Sequence, residues 1–137
     1  MQPTEQSPIS NLQSRINRRG AMAVVLSEDQ KQVLLLRREI FILWDLPGGG
    51  IEKNEDPADA AVRECQEETG IDIVVDQLVG RYQHQSVYGR GDQLTFAYRA
   101  HAVGGKPKRF GLETTGLEWR AVNNLPRGFE RLHRQII

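Results

Sequence analysis

Apolar and β-branched residues come in short runs along this chain, separated by polar turn clusters. Ala21 to Ser27 predicts a strand. Ser27-Glu28-Asp29-Gln30 is a turn cluster, and Gln32 to Arg37 predicts a second strand, so the two predict a hairpin. Phe41 to Leu46 is apolar and stops at Pro47-Gly48-Gly49-Gly50, a loop signal. Asp56-Pro57 then opens a helix, with aspartate as N-cap and proline at the first helical position, and Gly70 closes it. Ile71 to Val75, Leu78 to Val87 and Gln93 to Val103 predict three further strands. In the last of these, Leu94, Phe96, Tyr98 and Ala100 alternate with Thr95, Ala97 and Arg99. Gly104-Gly105-Lys106-Pro107 predicts a loop and Leu117 to Val122 a final strand. Phe129 to Ile136 predicts a short helix with Phe129, Leu132, His133 and Ile136 on one face.

Strands, one central helix, more strands and a terminal helix make an α+β chain, not a regular βαβ alternation. Three contiguous glycines fit neither a Walker A loop nor a dinucleotide-binding fingerprint. At 137 residues the chain has the size of one domain. We expect a single domain over 18–137 behind a flexible lead-in over 1–17, which is rich in Gln, Ser and Asn. That lead-in lacks the apolar region of a signal peptide. Arg18-Arg19 resembles a twin-arginine export signal, but only a strand-length apolar run follows it. No apolar stretch is long enough to span a bilayer, and the lone Cys65 cannot form an internal disulfide. The protein is therefore read as cytoplasmic, with no membrane partner.

The candidate chemistry lies on the central helix. At about 100° per residue, Ala58, Ala61, Val62, Cys65 and Thr69 share one arc and form a stripe to be buried. Glu64, Glu67 and Glu68 share a neighbouring arc. Like charges at i,i+4, as in Glu64 and Glu68, destabilise a bare helix. On the wheel Arg63 points elsewhere, so nothing basic is expected to relieve them. A divalent cation would: magnesium prefers carboxylate oxygens, water and substrate phosphates. The net charge is zero, but it is divided. Glu52 to Glu68 holds seven acidic and two basic residues, whereas Lys106 to Ile137 holds seven Lys or Arg against three Glu. Acids beside bases suit a phosphate substrate bridged by metal. Isolated glutamates on a helix are usually only a solvated face. Here the glycine loop, the helix start, three clustered acids, an embedded Arg and a closing Gly occur together.

Read as Gly49-x5-Glu55-x7-Arg63-Glu64-Cys65-x-Glu67-Glu68-x-Gly70-Ile71, these residues resemble the complete box of the Nudix hydrolase family, of the MutT-like kind. Trp44 to Gly49 and Glu113 to Trp119 resemble the family too. Cys65 departs from the pattern, standing where a larger aliphatic residue is common. The resemblance implies an α/β/α sandwich with a mixed central sheet. It also implies magnesium-dependent attack of water on a phosphoanhydride of a nucleoside diphosphate linked to another moiety, with Mn2+ as a possible substitute for Mg2+. It assigns Glu64, Glu67 and Glu68 to the metal, Glu64 also to a general-base role that varies between subfamilies, and Arg63 to orienting the glutamates. Glu55 would support loop and helix, Gly48 and Gly49 would offer a carbonyl to the metal, and Gly70 would close the box. Glu113 is a candidate further metal ligand or base.

Outside the box, Arg37 and Arg38 are candidate phosphate contacts, with ordinary strand-end charges as the alternative. Trp44, Tyr88 and Phe110 are candidates for stacking on a base, although core packing explains each as well. His84, His101 and His133 have no metal-like spacing and are read as structural. For the substrate, Val87 stands where a proline resembles the ADP-ribose group, and Tyr88 fits the tyrosine of the dinucleoside polyphosphate group by position. Compactness favours a nucleoside triphosphate. The alternatives are a nucleotide-sensing module that has lost turnover, which the intact acids disfavour, and an acidic cation-binding protein, which leaves the glycine loop and Arg63 unexplained. A nucleic-acid partner is not expected without a recognisable motif or net positive charge. A homodimer is compatible with the family resemblance.

Overall fold

The computed structural model of the chain describes residues 16–38, 43–85, 92–108, 114–126 and 136–137. Its elements are β1 (Ile16–Leu26), β2 (Gln32–Arg38), β3 (Leu43–Asp45), β4 (Gly48–Gly50), α1 (Pro57–Thr69), β5 (Ile71–Gln85), β6 (Asp92–Gly105) and β7 (Thr114–Ala121).

The Ser27 turn is tied by its own side chains. Asp29 Oδ1 accepts from Ser27 Oγ at 2.7 Å and from Lys31 N at 3.0 Å, and Ser27 N donates to Gln32 O at 2.9 Å. β1 and β2 pair beside this turn, at Leu26 and Val33. β2 then takes β7 and β3 as antiparallel neighbours, while β1 runs parallel to β6 from Ile16 opposite Asp92 to Leu26 opposite His101. The sheet is therefore mixed. The two strands expected at Ile71 to Val75 and Leu78 to Val87 are one strand, β5, paired along its length with β6. The polar Asp76-Gln77 pair is absorbed where the register shifts between Val75 and Gln77, as a bulge and not a turn. The helix expected over 129–136 falls almost wholly outside the described residues.

Both faces of the sheet carry buried apolar residues. Along β1, Ala21, Ala23 and Val25 face α1, and Val24 faces away. On the α1 side, Ala23, Val25, Leu34, Ile71, Ile73 and Ala100 pack with Cys65. On the other side, Val24, Val33, Leu35, Leu46 and Ala97 pack with Ile136. This explains why Leu94 to Ala100 does not show a solvent face: Thr95, Ala97, Tyr98 and Ala100 are all buried. Leu34, Leu35 and Leu36 are fully buried, positions where truncation to alanine costs about 2–5 kcal/mol.

α1 begins and ends as its sequence dictates. Asp56 is the N-cap, its Oδ1 accepting from Ala58 N at 2.9 Å, and Pro57 follows at the first helical position. Gly70 ends the helix in the left-handed region at φ 77°, its N–H donating to Gln66 O at 2.8 Å. Ala60, Ala61, Cys65 and Thr69 are buried, so Ala60 joins the expected stripe and Ala58 and Val62 sit at its margin. The small side chains let the helix lie close on Ala21 and Ala23. Among the described residues no helix is long and apolar enough to cross a membrane.

Candidate active site

The glycine run is a strand and not the loop its composition suggests. Gly48, Gly49 and Gly50 pair antiparallel with Met22, Ala21 and Gly20. Pro47 O accepts from Ala23 N at 2.8 Å and continues the pairing. Crowding demands glycine here. A Cβ on Gly48 would stand 2.5 Å from Ala21 O, and one on Gly49 would stand 2.5 Å from Cδ of Glu64. The carboxylate of the helix thus lies flat against the strand.

Glu68 reaches the same strand. Its Oε1 accepts from the Gly48 N–H at 2.7 Å, so Gly48 meets the helix through its amide. β4 and the acidic side of α1 are one unit, pinned at Glu64 and Glu68.

The expectation that nothing basic relieves the acids is overturned. The Arg63 guanidinium turns back over them. Its Nε donates to Glu55 Oε2 at 2.8 Å and its Nη2 to Glu55 Oε1 at 2.9 Å, a bidentate pair. Nη1 donates to Glu64 Oε1 at 2.8 Å and to Glu67 at 3.4 Å, Nη2 also donates to Gly50 O at 2.9 Å, and Glu52 Oε1 lies 3.7 Å away. A helical wheel fixes only where Cβ leaves the helix, and a long arginine stem carries its charge well beyond that direction. Glu55, in turn, accepts from Glu52 N at 3.0 Å and so ties the loop before α1 to the helix. Its hydrogen bonds from Arg63, and then that from Glu52 N, hold its carboxyl down to about 2. Glu55, foremost among the acids, holds the Arg63 proton more firmly still.

The acids differ in freedom. The side chains of Glu55 and Glu64 are 16% and 17% exposed, whereas Glu67 is 55% exposed and only weakly held. Among the described residues no three His, Cys, Asp or Glu side chains converge as a coordination shell. The donor set of Glu64, Glu67 and Glu68 is nevertheless all oxygen, which fits a hard divalent cation.

The other expected residues lie on β2, β3, β5 and β6 or outside the described residues. Arg37 is exposed on β2, opposite Trp44 on β3 and Gly116 on β7, and Arg38 pairs with Leu43 and Thr114. β2 does not pair with β4. Glu113, Tyr88, Phe110 and His133 lie outside the described residues. His84 Nε2 lies 3.0 Å from the buried Thr95 Oγ1, which also accepts from Gln93 Nε2 at 3.3 Å. His101 pairs with Asp76 at 2.9 Å. Both histidines thus belong to β5–β6 pairs. Burial pushes the Cys65 thiol up to about 11, so it stays protonated near neutrality and offers no nucleophile. Sequence reasoning missed Lys108, whose ammonium donates to Glu67 O at 2.7 Å. No motif marks it.

The NUDIX domain family model matches residues 17–137. The chain belongs to the Nudix family. A putative 8-oxo-dGTP diphosphatase of Bacillus subtilis (strain 168) is 39% identical over 107 residues, covering 78% of this chain and 68% of that protein. An ADP-ribose pyrophosphatase of Methanocaldococcus jannaschii is 32% identical over 116 residues, covering 82% and 67%. The crystal structure of a MutT Nudix hydrolase from Burkholderia pseudomallei superposes with a TM-score of 0.74 at 26% identity, covering 87% of this chain and 94% of that one. The α+β architecture is accordingly the Nudix sandwich, and the chain is a Nudix pyrophosphohydrolase.

In this Nudix chain the contact between Gly49 and Glu64 gives a direct test. Gly49→Ala must displace the Glu64 carboxylate, the mobile end of a side chain, so the fold should survive. We expect turnover to fall by about tenfold or more, with a melting midpoint within a few degrees of the parent. Parent-like kinetics would show that the placement of Glu64 against β4 does not matter.

Proposed function

We propose that the chain hydrolyses a phosphoanhydride bond in a nucleoside diphosphate linked to another moiety, with Mg2+ as cofactor and Mn2+ as substitute, and that its substrate is a nucleoside triphosphate. The observation that carries this is the Arg63-ordered array of Glu64, Glu67 and Glu68 against β4. Glu64, Glu67, Glu68 and the Gly48 carbonyl would hold the cation, with Glu113 as a further ligand. When bound, the cation neutralises phosphate charge and makes water more acidic. Glu64 accepts the proton of the attacking water, and Arg63 keeps it oriented for that role. The oxygen of the water forms a bond to phosphorus as the bridging P–O bond breaks, and the other phosphate leaves with the electron pair. The chain's part is positioning and charge, as phosphoryl transfer requires. Arg37 and Arg38 are proposed to contact phosphate from β2. The working unit is proposed to be a single domain over 18–137, active in the cytoplasm.

The Bacillus relative supports the triphosphate reading, and the Methanocaldococcus relative supports ADP-ribose as a second. The test is a product assay with magnesium across nucleoside triphosphates (8-oxo-dGTP included), ADP-ribose, dinucleoside polyphosphates, NADH and nucleotide sugars. Turnover of a triphosphate to monophosphate and pyrophosphate is expected. Silence across the panel, with nucleotides still binding, would replace the enzyme reading by a sensor.

A further inference from the structure

The acids of α1 crowd toward its C-terminal half, where the helix dipole disfavours negative charge. The last turn of α1 contains no basic residue. The helix end is closed from elsewhere in the chain. Gly70 and Gly105, at φ 77° and 89°, meet backbone to backbone: a Cβ on Gly70 would overlap Lys106 O, and one on Gly105 would overlap Gly70 O. That approach lets the segment leaving β6 lie along the helix end. Lys106 N donates to Gly70 O at 3.0 Å and Lys108 N to Thr69 O at 2.8 Å. Lys108 Nζ donates to Glu67 O at 2.7 Å. Of the last four helical carbonyls, which have no partner within a helix, Lys108 alone satisfies two.

We propose that Lys108 is a positioning residue for the metal-binding acids: its ammonium fixes the backbone of Glu67, and with it the direction in which Glu67 and Glu68 leave the helix. This rests on the acids' proposed role as cation ligands. Side chains on a helix tilt toward its N-terminus, so the Glu67 carboxylate rises toward Arg63 while Lys108 holds the carbonyl at the opposite end. Lys108 therefore acts through the main chain and not on substrate. Groups that orient metal ligands typically matter by 10–100-fold in metal affinity or activity.

The test uses the full chain with Lys108→Met, which keeps the stem but loses the donor and charge, beside Lys108→Gln and Lys108→Arg. Mn2+ affinity is measured by electron paramagnetic resonance without substrate, and kcat and KM are measured on the substrate that the parent turns over. We expect Lys108→Met and Lys108→Gln to weaken Mn2+ by about tenfold and to lower kcat by a similar factor. KM should stay within about twofold, and Lys108→Arg should restore most of the loss. The sign of the metal effect decides. Removing a positive charge near a cation site would by Coulomb repulsion alone tighten Mn2+ binding. Tighter or unchanged Mn2+ affinity in either folded variant lacking the ammonium would overturn the proposal, and so would a raised KM at parental kcat, which would make Lys108 a substrate contact. If the parent hydrolyses nothing, the activity reading fails, while the Mn2+ comparison still decides the role of Lys108.

Discussion

Glu67→Gln is expected to keep the fold and lower turnover by about 10²–10³-fold at saturating magnesium. The Glu67 side chain is 55% exposed, and its ion pair with Arg63 is long at 3.4 Å. Exposed pairs of that kind contribute little to stability, so the melting curve should barely move. The carboxylate charge is what a cation would lose. Glu68→Gln is the stricter comparison, because its amide oxygen can still accept from the Gly48 N–H while the charge is gone. A similar fall in turnover there would separate the need for charge from the need for the β4 contact. Steady-state kinetics beside a thermal melt reads both, and full activity of either variant would remove that residue from the proposed site.

Arg63→Ala should damage stability and turnover together. One guanidinium serves Glu52, Glu55, Glu64, Glu67 and Gly50 O, and its removal leaves those carboxylates facing one another. We expect the melting midpoint near neutrality to fall by about 5 °C or more and turnover by about a hundredfold. The pH dependence has a definite sign. Arg63 holds Glu55 well below its ordinary 4.5, at about 2. A carboxyl depressed in the folded state adds stability that is complete above the unfolded value and is lost as pH falls through the folded one. The gap in melting midpoint between parent and Arg63→Ala should therefore be steady above pH 4.5 and close progressively toward pH 2. Melts across that range check it, and a gap that widened on acidification would contradict the pairing.

The sequence carried the helix better than the sheet. The ends of α1 were readable because their signals are local: Asp56 bonds two residues ahead, Pro57 fits the first turn, and Gly70 takes a backbone conformation that suits glycine. The spacing of Glu64, Glu67 and Glu68 was readable for the same reason. The strand pairings depend on distant partners. Nothing between Gly48 and Gly50 announces that Gly20 to Met22 will lie beside them, so composition suggested a loop. The Asp76-Gln77 pair looked like a break because a bulge and a turn use similar residues. Arg63 was misplaced because a wheel has no side-chain length, and Lys108 was invisible because its partner is a main-chain carbonyl.

The parallel pairing of β1 with β6 bears on how the chain reaches its working form. Every acid of the box has been synthesised once Gly70 is made, yet the strand that completes the platform under α1 runs to residue 105. Contacts such as Ala21 with Phe96 and Val25 with Ala100 join segments far apart along the backbone, and closures of that kind are slow steps in folding. A nascent or truncated chain ending in β5 would hold the full signature with Ala60, Ala61 and Cys65 facing an unfinished surface. The platform of the site is therefore complete only when the second half of the chain is paired with the first.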